Sequence, residues 1–239
     1  MHPGKLILLP NLLEETLPHE TILPPSVSTA VHAIEGLIAE SEKSARRYLR
    51  RFLSHEDMNR KQLKLLNEHT KDTDLPALLA PIVEGKWWGL LTDAGLPCLA
   101  DPGAQLVWLA RQRSIAVEAL PGPSSIIMAL QLSGLPSQRF AFHGYLPRES
   151  PDLEGLIRLL EKRSREEDAA QFFIEAPYRS QKLLDTLLAI LQPTTRLTVA
   201  ASLTTAQERV VSMPVTKFKS LQMVLNKEPV VFGFYTARD

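Results

Sequence analysis

Between Thr92 and Asp101 the chain reads TDAGLPCLAD, a run whose residue types suit a loop that meets a ligand. Gly95 permits a positive φ or a close approach of backbone that a Cβ would block, and Pro97 stiffens the chain just behind it. Asp101 followed by Pro102 reads as a helix N-cap with a first-turn proline, starting a helix that carries Leu106, Val107 and Ala110 on one face. The same residues also serve ordinary turn and cap chemistry, so the loop by itself leaves both readings open. Other chemistry lacks its spacing here. No GxxxxGK[ST], GxGxxG or GxSxG run occurs, which removes motif support for nucleotide hydrolysis, nicotinamide redox chemistry and a serine nucleophile elbow. The histidines at positions 2, 19, 32, 55, 69 and 143 show no metal-ligand spacing, so no metal is expected. Cys98 is either a nucleophile or a small buried hydrophobe, and its apolar neighbours favour the second.

The elements around the loop are legible from apolar runs. Trp87 to Leu91 and Ile115 to Leu120 flank it in the grammar of strand, loop, helix, strand, which places it at the carboxyl end of a strand, where open α/β sheets bind ligands. Upstream, the pattern gives a strand at Lys5 to Leu9, a helix from Ser26 to Ile34, a strand at Gly36 to Ala39 and a helix from Glu42 to Leu53. On that last helix Ala45, Tyr48, Leu49 and Phe52 share one face, while Lys43, Arg46, Arg47, Arg50 and Arg51 take the other; Arg60, Lys61 and Lys64 follow soon after. Such a basic face is either solvated or a phosphate-binding surface. A strand at Lys61 to Leu66 and a helix from Leu75 to Val83, ended by Gly85, complete the first half.

Pro121, Gly122 and Pro123 then break the chain, and Ser124 can cap a helix from Ser125 to Ser133. Strands at 140–143, 171–175, 197–202, 208–213 and 230–235 alternate with helices at 153–163 and 180–190. The expected fold is two α/β domains, Met1 to Ala119 and Leu120 to Asp239, with a ligand cleft between them.

Composition bounds the function classes. The 239 residues carry 27 basic and 27 acidic side chains, so net charge gives no general pull toward nucleic acid or anionic lipid. One cysteine excludes an intrachain disulfide framework, and the only apolar run near the start, Leu6 to Leu9, is too short for a signal-peptide core. A cytoplasmic protein with no membrane association is expected.

Three stretches carry a family resemblance: TDAGLPCLADPG at Thr92 to Gly103, LPGPSSIIMALQLSGLPSQRFAFHGYLPRE at Leu120 to Glu149, and FIEAPYR at Phe173 to Arg179. They resemble the S-adenosylmethionine-dependent tetrapyrrole methylase superfamily, and within it the branch of ribosomal RNA small-subunit methyltransferase I proteins, which methylate a cytidine ribose 2′-hydroxyl. The resemblance runs from about residue 36 to 215, and includes AESEKSARRYL at Ala39 to Leu49 and VAASLT at Val199 to Thr204. It implies a homodimeric methyltransferase that binds S-adenosylmethionine in the cleft and acts on ribosomal RNA or the small ribosomal subunit. Cofactor contacts are implied at Pro10, Asp93, Ala94, Gly95, Leu96, Pro97, Leu99, Ala100, Asp101, Ser124 and Ser125, with Ala176, Pro177, Ala201, Ser202 and Leu203 on the adenosine side. A base for the hydroxyl proton is expected at Glu175, with Glu40 second; the alternative is that Glu175 orders its loop or pairs with Arg179. The chain departs from the family where Pro10 and Asn11 lead into Leu12, Leu13, Glu14 and Glu15 instead of a Gly-containing turn. It departs again where Ser41, Glu42 and Lys43 replace Asp-Thr-Arg, and where His143 replaces a Glu. A methyltransferase of a small molecule or protein, or a non-catalytic S-adenosylmethionine-binding protein, are the alternatives.

Overall fold

The structure, a computed structural model, describes residues 4–148 and 150–238; His2 and Glu149 lie outside them. The chain forms two compact units, one ending at Ser124 and the other beginning at Ser125, where the sequence expectation placed the boundary after Ala119.

The first unit contains, in order, β1 (Lys5–Leu9), α1 (Pro25–Ala33), β2 (Gly36–Ala39), α2 (Glu42–Leu49), α3 (His55–Arg60), β3 (Gln62–Leu65), α4 (Leu75–Val83), β4 (Trp87–Leu91), α5 (Ala104–Gln112) and β5 (Ala116–Ala119). The strands pair in the order β3-β2-β4-β1-β5, parallel throughout. A parallel sheet is covered on both faces, which explains why its strands read as continuous apolar runs. Ile7, Leu9 and Leu91 pack with Val27 and Val31 of α1 and with Ala45 and Tyr48 of α2. Leu6, Trp88 and Leu90 pack on the opposite face with Leu79 of α4 and with Leu106 and Ala110 of α5. Neighbouring strands β1 and β4 therefore send their following helices to opposite faces. That divergence is a topological switch point, and the crevice outside its carboxyl ends is the ligand position of open α/β sheets.

The second unit contains α6 (Ser125–Ser133), β6 (Phe140–Tyr145), α7 (Ser150–Glu167), β7 (Ala170–Glu175), α8 (Ser180–Ile190), β8 (Arg196–Ala201), β9 (Arg209–Pro214), α9 (Val215–Leu221) and β10 (Val230–Tyr235). Its order is β6-β7-β10-β8-β9; β6 and β7 run parallel, and β10 is antiparallel to both of its neighbours. One face is closed by α7, α8 and α9 around Phe173, Phe232 and Phe234. The other is closed by α6 over Phe172 and Val231. Among the described residues no helix is long and apolar enough to cross a membrane.

Two helix expectations need correction. The helix expected to run to Leu53 stops at Leu49, because Ser54 begins a new one: its Oγ accepts from the Asp57 N–H at 3.1 Å and caps α3. The helix after the central loop starts at Ala104 with Gly103 at its N-cap, φ 131°, and has no side-chain cap, so Asp101 does not cap it. The reason lies in the winding of the loop, where Cys98 and Ala100 adopt left-handed φ values of 68° and 69° and carry the chain past Asp101 before a helical turn can begin.

Candidate functional site

At the carboxyl end of β4 the loop is held from both neighbouring strands. From the β1 side, Asn11 donates through Nδ2 to the carbonyls of Thr92 (3.1 Å) and Asp93 (2.9 Å), and its own N–H donates to the Gly95 carbonyl (2.8 Å). Its Oδ1 accepts from the Leu12 N–H at 2.9 Å, so an amide only 7% exposed has both faces satisfied. From the β2 side, Glu40 Oε1 accepts from Thr92 Oγ1 (2.8 Å) and from the Asp93 N–H (3.0 Å). The turn that carries Asn11 is in turn fixed by Tyr48, whose hydroxyl donates to the Pro10 carbonyl at 3.1 Å. Gly122 lets the chain after β5 close on the same turn, since a Cβ there would stand 2.1 Å from Pro10 Cβ.

The residues that the sequence nominates divide by exposure. Asp93, Ala94, Leu99 and Ala100 are exposed, Leu96 and Asp101 are partly buried, and Gly95 and Pro97 are buried. Gly95 has φ +74°, and a Cβ there would meet Leu13 Cδ2 at 3.3 Å and the Pro123 carbonyl oxygen at 3.6 Å. Its freedom from a side chain is thus used by the fold itself. Burial raises the Asp101 carboxyl above the usual carboxylate range, the polar Thr92 hydroxyl pulls it back, and the neighbouring charges of Glu40 and Asp93 raise it further. The Cys98 thiol is pushed up to about 11 by burial and by Asp101, which leaves it protonated at neutral pH and argues against a nucleophile. Ser124 is buried at the end of this unit. Among the described residues no cluster of three metal-ligating side chains occurs.

The second unit presents its own strand-end loops. Val230 lies opposite both Glu175 and Ala201, so the carboxyl ends of β7 and β8 share one edge of the sheet. Glu175 is buried, with Oε2 2.6 Å from an Arg179 guanidinium nitrogen and Oε1 accepting from the Ala176 N–H at 2.7 Å. Both oxygens are engaged in ordering the turn through Pro177. After β8, Ser202 (φ 52°) and Thr204 (φ 70°) are both left-handed. Ser202 Oγ donates to Glu228 Oε2 at 2.7 Å, and Glu228 also pairs with Arg209. Thr204 is β-branched, a type that rarely tolerates this backbone, and its buried Oγ1 finds no hydrogen-bond partner among the described residues. Sequence reasoning missed Asn11, Thr204 and Glu228, and only Asn11 left a signal, in the PN pair that closes the first strand. Ser125 opens α6 of this unit, and His143 Nε2 meets Gln171 Oε1 at 2.7 Å.

The basic face of α2 is mostly occupied by contacts within its own unit. Arg46 pairs with Glu42 at 2.7 Å, Arg47 pairs with Glu15, and Arg51 donates to the Glu15 carbonyl at 3.2 Å. Lys61 donates to the carbonyl of His32 at 2.9 Å and to that of Ile34 at 2.5 Å, Lys64 to that of Ala77, and Arg60 pairs with Glu56. Lys43 and Arg50 are the members of the set with no ion pair or hydrogen-bonded side chain among the described residues.

Residues 30–219 match the sequence profile of the Tetrapyrrole (Corrin/Porphyrin) Methylases. The Ribosomal RNA small subunit methyltransferase I of Halalkalibacterium halodurans is 35% identical over 145 residues, 61% of this chain and 48% of that protein. The protein of the same name from Xylella fastidiosa is 35% identical over 188 residues, 79% of this chain and 66% of that one. The chain thus spans about half to two thirds of the length of the curated relatives it matches. The crystal structure of the methyltransferase CobJ superposes with a TM-score of 0.61 at 16% identity, over 98% of this chain and 99% of that one, which establishes a common fold. The parallel five-stranded sheet, the mixed sheet beside it in sequence, and a profile match over most of the chain's length lead to one assignment: the chain belongs to the tetrapyrrole (corrin/porphyrin) methylases.

Proposed function

We propose that the chain is an S-adenosylmethionine-dependent methyltransferase acting on the 2′-hydroxyl of a cytidine ribose in small-subunit ribosomal RNA. The observation that carries this reading is the Thr92–Pro97 loop, locked at the switch point of the parallel sheet in a chain about 35% identical to ribosomal RNA methyltransferases. The loop fits such a cofactor: Asp93, Ala94, Leu99 and Ala100 are open to a ligand, and Gly95 gives the backbone the left-handed turn that presents them. S-adenosylmethionine supplies a methyl group already activated on a sulfonium. What remains for the protein is to hold donor and acceptor in line, to exclude water and to help a hydroxyl lose its proton. Asn11, Glu40 and Tyr48 hold the loop, and Lys43 and Arg50 are the α2 cations left to meet phosphate. Glu175, bound on both oxygens, orders its turn in this reading. A homodimer working on ribosomal subunits in the cytoplasm completes the proposal.

Transfer of labelled methyl from S-adenosylmethionine into small subunits taken from cells lacking the protein, followed by mapping of the labelled nucleotide, tests it. Label in a ribose of a cytidine is the expected result. Label only in protein or in a small molecule would favour the second reading, a methyltransferase of another acceptor. That reading is supported by the internal pairing of Arg46 and Arg47 and by Ser41, Glu42 and Lys43 standing where the family carries Asp-Thr-Arg.

A further inference from the structure

We propose that Asn11 and Glu40 form a two-sided clamp that sets the orientation of the Thr92–Asp93 peptide and thereby determines how tightly the methyl donor is held; both are positioning residues, and Glu40 is not the base. The inference rests on the reading that the donor binds at this loop. A peptide unit is planar and trans, so its C=O and N–H point in opposite directions. The carbonyl of Thr92 and the N–H of Asp93 belong to one such unit. Its carbonyl is taken by Asn11 Nδ2 at 3.1 Å and its N–H by Glu40 Oε1 at 3.0 Å, so the plane is pinned at both ends by side chains from the strands on either side of β4. A second Asn11 hydrogen goes to the Asp93 carbonyl at 2.9 Å. The next unit is then fixed too, with the Ala94 N–H turned away from Asn11.

Among the described residues that N–H has no hydrogen-bond partner, and Ala94 is exposed. The clamp therefore presents one oriented, unsatisfied backbone donor at the mouth of the loop. Backbone donors fixed in advance bind an acceptor without the ordering cost that a mobile loop would incur. Asn is required on one side because only an amide can donate twice to carbonyls while accepting from Leu12 N–H through its oxygen. On the other side any acceptor at the Oε1 position suffices, whether charged or neutral. This separates positioning from proton transfer, since a base must ionise and a clamp need not.

Calorimetry with S-adenosylmethionine and S-adenosylhomocysteine on the full chain is the test, with near-ultraviolet circular dichroism and melting curves confirming that each variant is folded at the assay temperature. Asn11→Asp keeps the acceptor for Leu12 but replaces both donated hydrogens with repulsion, and Glu40→Ala removes the other jaw. Each should weaken donor affinity about tenfold or more, and raise KM for the donor without changing KM for the acceptor. Glu40→Gln retains the acceptor and should keep donor affinity within about threefold of the parent. If the parent protein binds neither compound, the donor reading itself falls and the clamp with it. If the parent binds and folded Asn11→Asp and Glu40→Ala bind equally well, the donor reading stands and the clamp is overturned. A Glu40→Gln protein that binds the donor normally yet has lost turnover would make Glu40 the base and overturn its assignment as a positioning residue.

Discussion

The loop after β4 is held by backbone carbonyls and N–H groups meeting one amide and one carboxylate, with a glycine at the first of its left-handed positions. The turn after β8 is held by charged side chains, Glu228 with Arg209, and puts a serine and a threonine where φ is positive. Both lie at carboxyl ends of strands and both are hydrogen-bonded, yet among the described residues only the second adds an ion pair, which solvent can screen. The difference teaches where strain is greatest. The first loop gives one left-handed position to Gly95 and two to Cys98 and Ala100, none of them β-branched, whereas the second gives one to Thr204, which is.

The largest effect expected from breaking this contrast is at Gly95. A valine there faces a left-handed φ that costs about 1–2 kcal/mol or more for a residue with a Cβ, and it meets Leu13 and the Pro123 carbonyl. Sheet packing elsewhere in the unit is untouched, so the protein should still melt cooperatively while calorimetry detects no heat with S-adenosylmethionine. Normal binding by Gly95→Val would remove the loop from the cofactor site.

Next in size is Glu228→Ala. It leaves Arg209 unpaired and the Ser202 hydroxyl without its acceptor, a loss of about 1–3 kcal/mol after allowing for partial exposure of the arginine. Because the pair is ionic, the difference between parent and variant should shrink in high salt, whereas that for Asn11→Ala, which removes only neutral hydrogen bonds, should not. Chemical denaturation at two ionic strengths checks both. Equal salt dependence at the two loops would erase the contrast.

The asymmetry also explains what the sequence could and could not disclose. Lys5 to Leu9, Gly36 to Ala39, Trp87 to Leu91 and Val230 to Tyr235 are strands at the expected residues, because strands buried on both faces are continuous apolar runs. Short elements such as α3 and α9 carry too few apolar positions to show a period; only Ser54 followed by Asp57 marked the start of α3. Gly95 was visible because one residue type announces its own conformation. Asn11 showed only as a turn residue after Pro10, since its partners lie 81 and 82 residues away and nothing local in PNLL specifies them. The cations of α2 read as a free face for the same reason: Glu15, which pairs with Arg47, is 32 residues earlier in the numbering.

A smaller test concerns Thr204. Replacing it by glycine relieves a left-handed β-branched residue and removes a buried hydroxyl with no partner, against the extra chain entropy that glycine brings to the unfolded state. The balance should be a gain of about 0.5–1 kcal/mol in denaturant unfolding. A Thr204→Gly protein less stable than the parent would mean that chain entropy outweighs the strain at this turn.

The smallest effect returns to the first loop, which is pinned by geometry yet gathers like charges. Burial, and then the charges of Glu40 and Asp93, raise the Asp101 carboxyl above its ordinary value, opposed by the polar Thr92 hydroxyl. A carboxyl whose folded pKa exceeds the unfolded one favours the folded state while it is protonated, and that contribution is lost as pH rises through the raised folded value. At neutral pH the ionised group is therefore a net burden on the fold. Asp101→Asn, which cannot ionise, should be more stable than the parent at pH 7, by a modest margin because the carboxyl is only partly buried. The advantage should fade on acidification and vanish below about pH 4, where Asp101 is protonated in both states. Melting curves across that range decide the matter. An Asp101→Asn protein less stable at neutral pH would mean that the Thr92 hydroxyl outweighs burial and repulsion, and that this loop too depends on a charge.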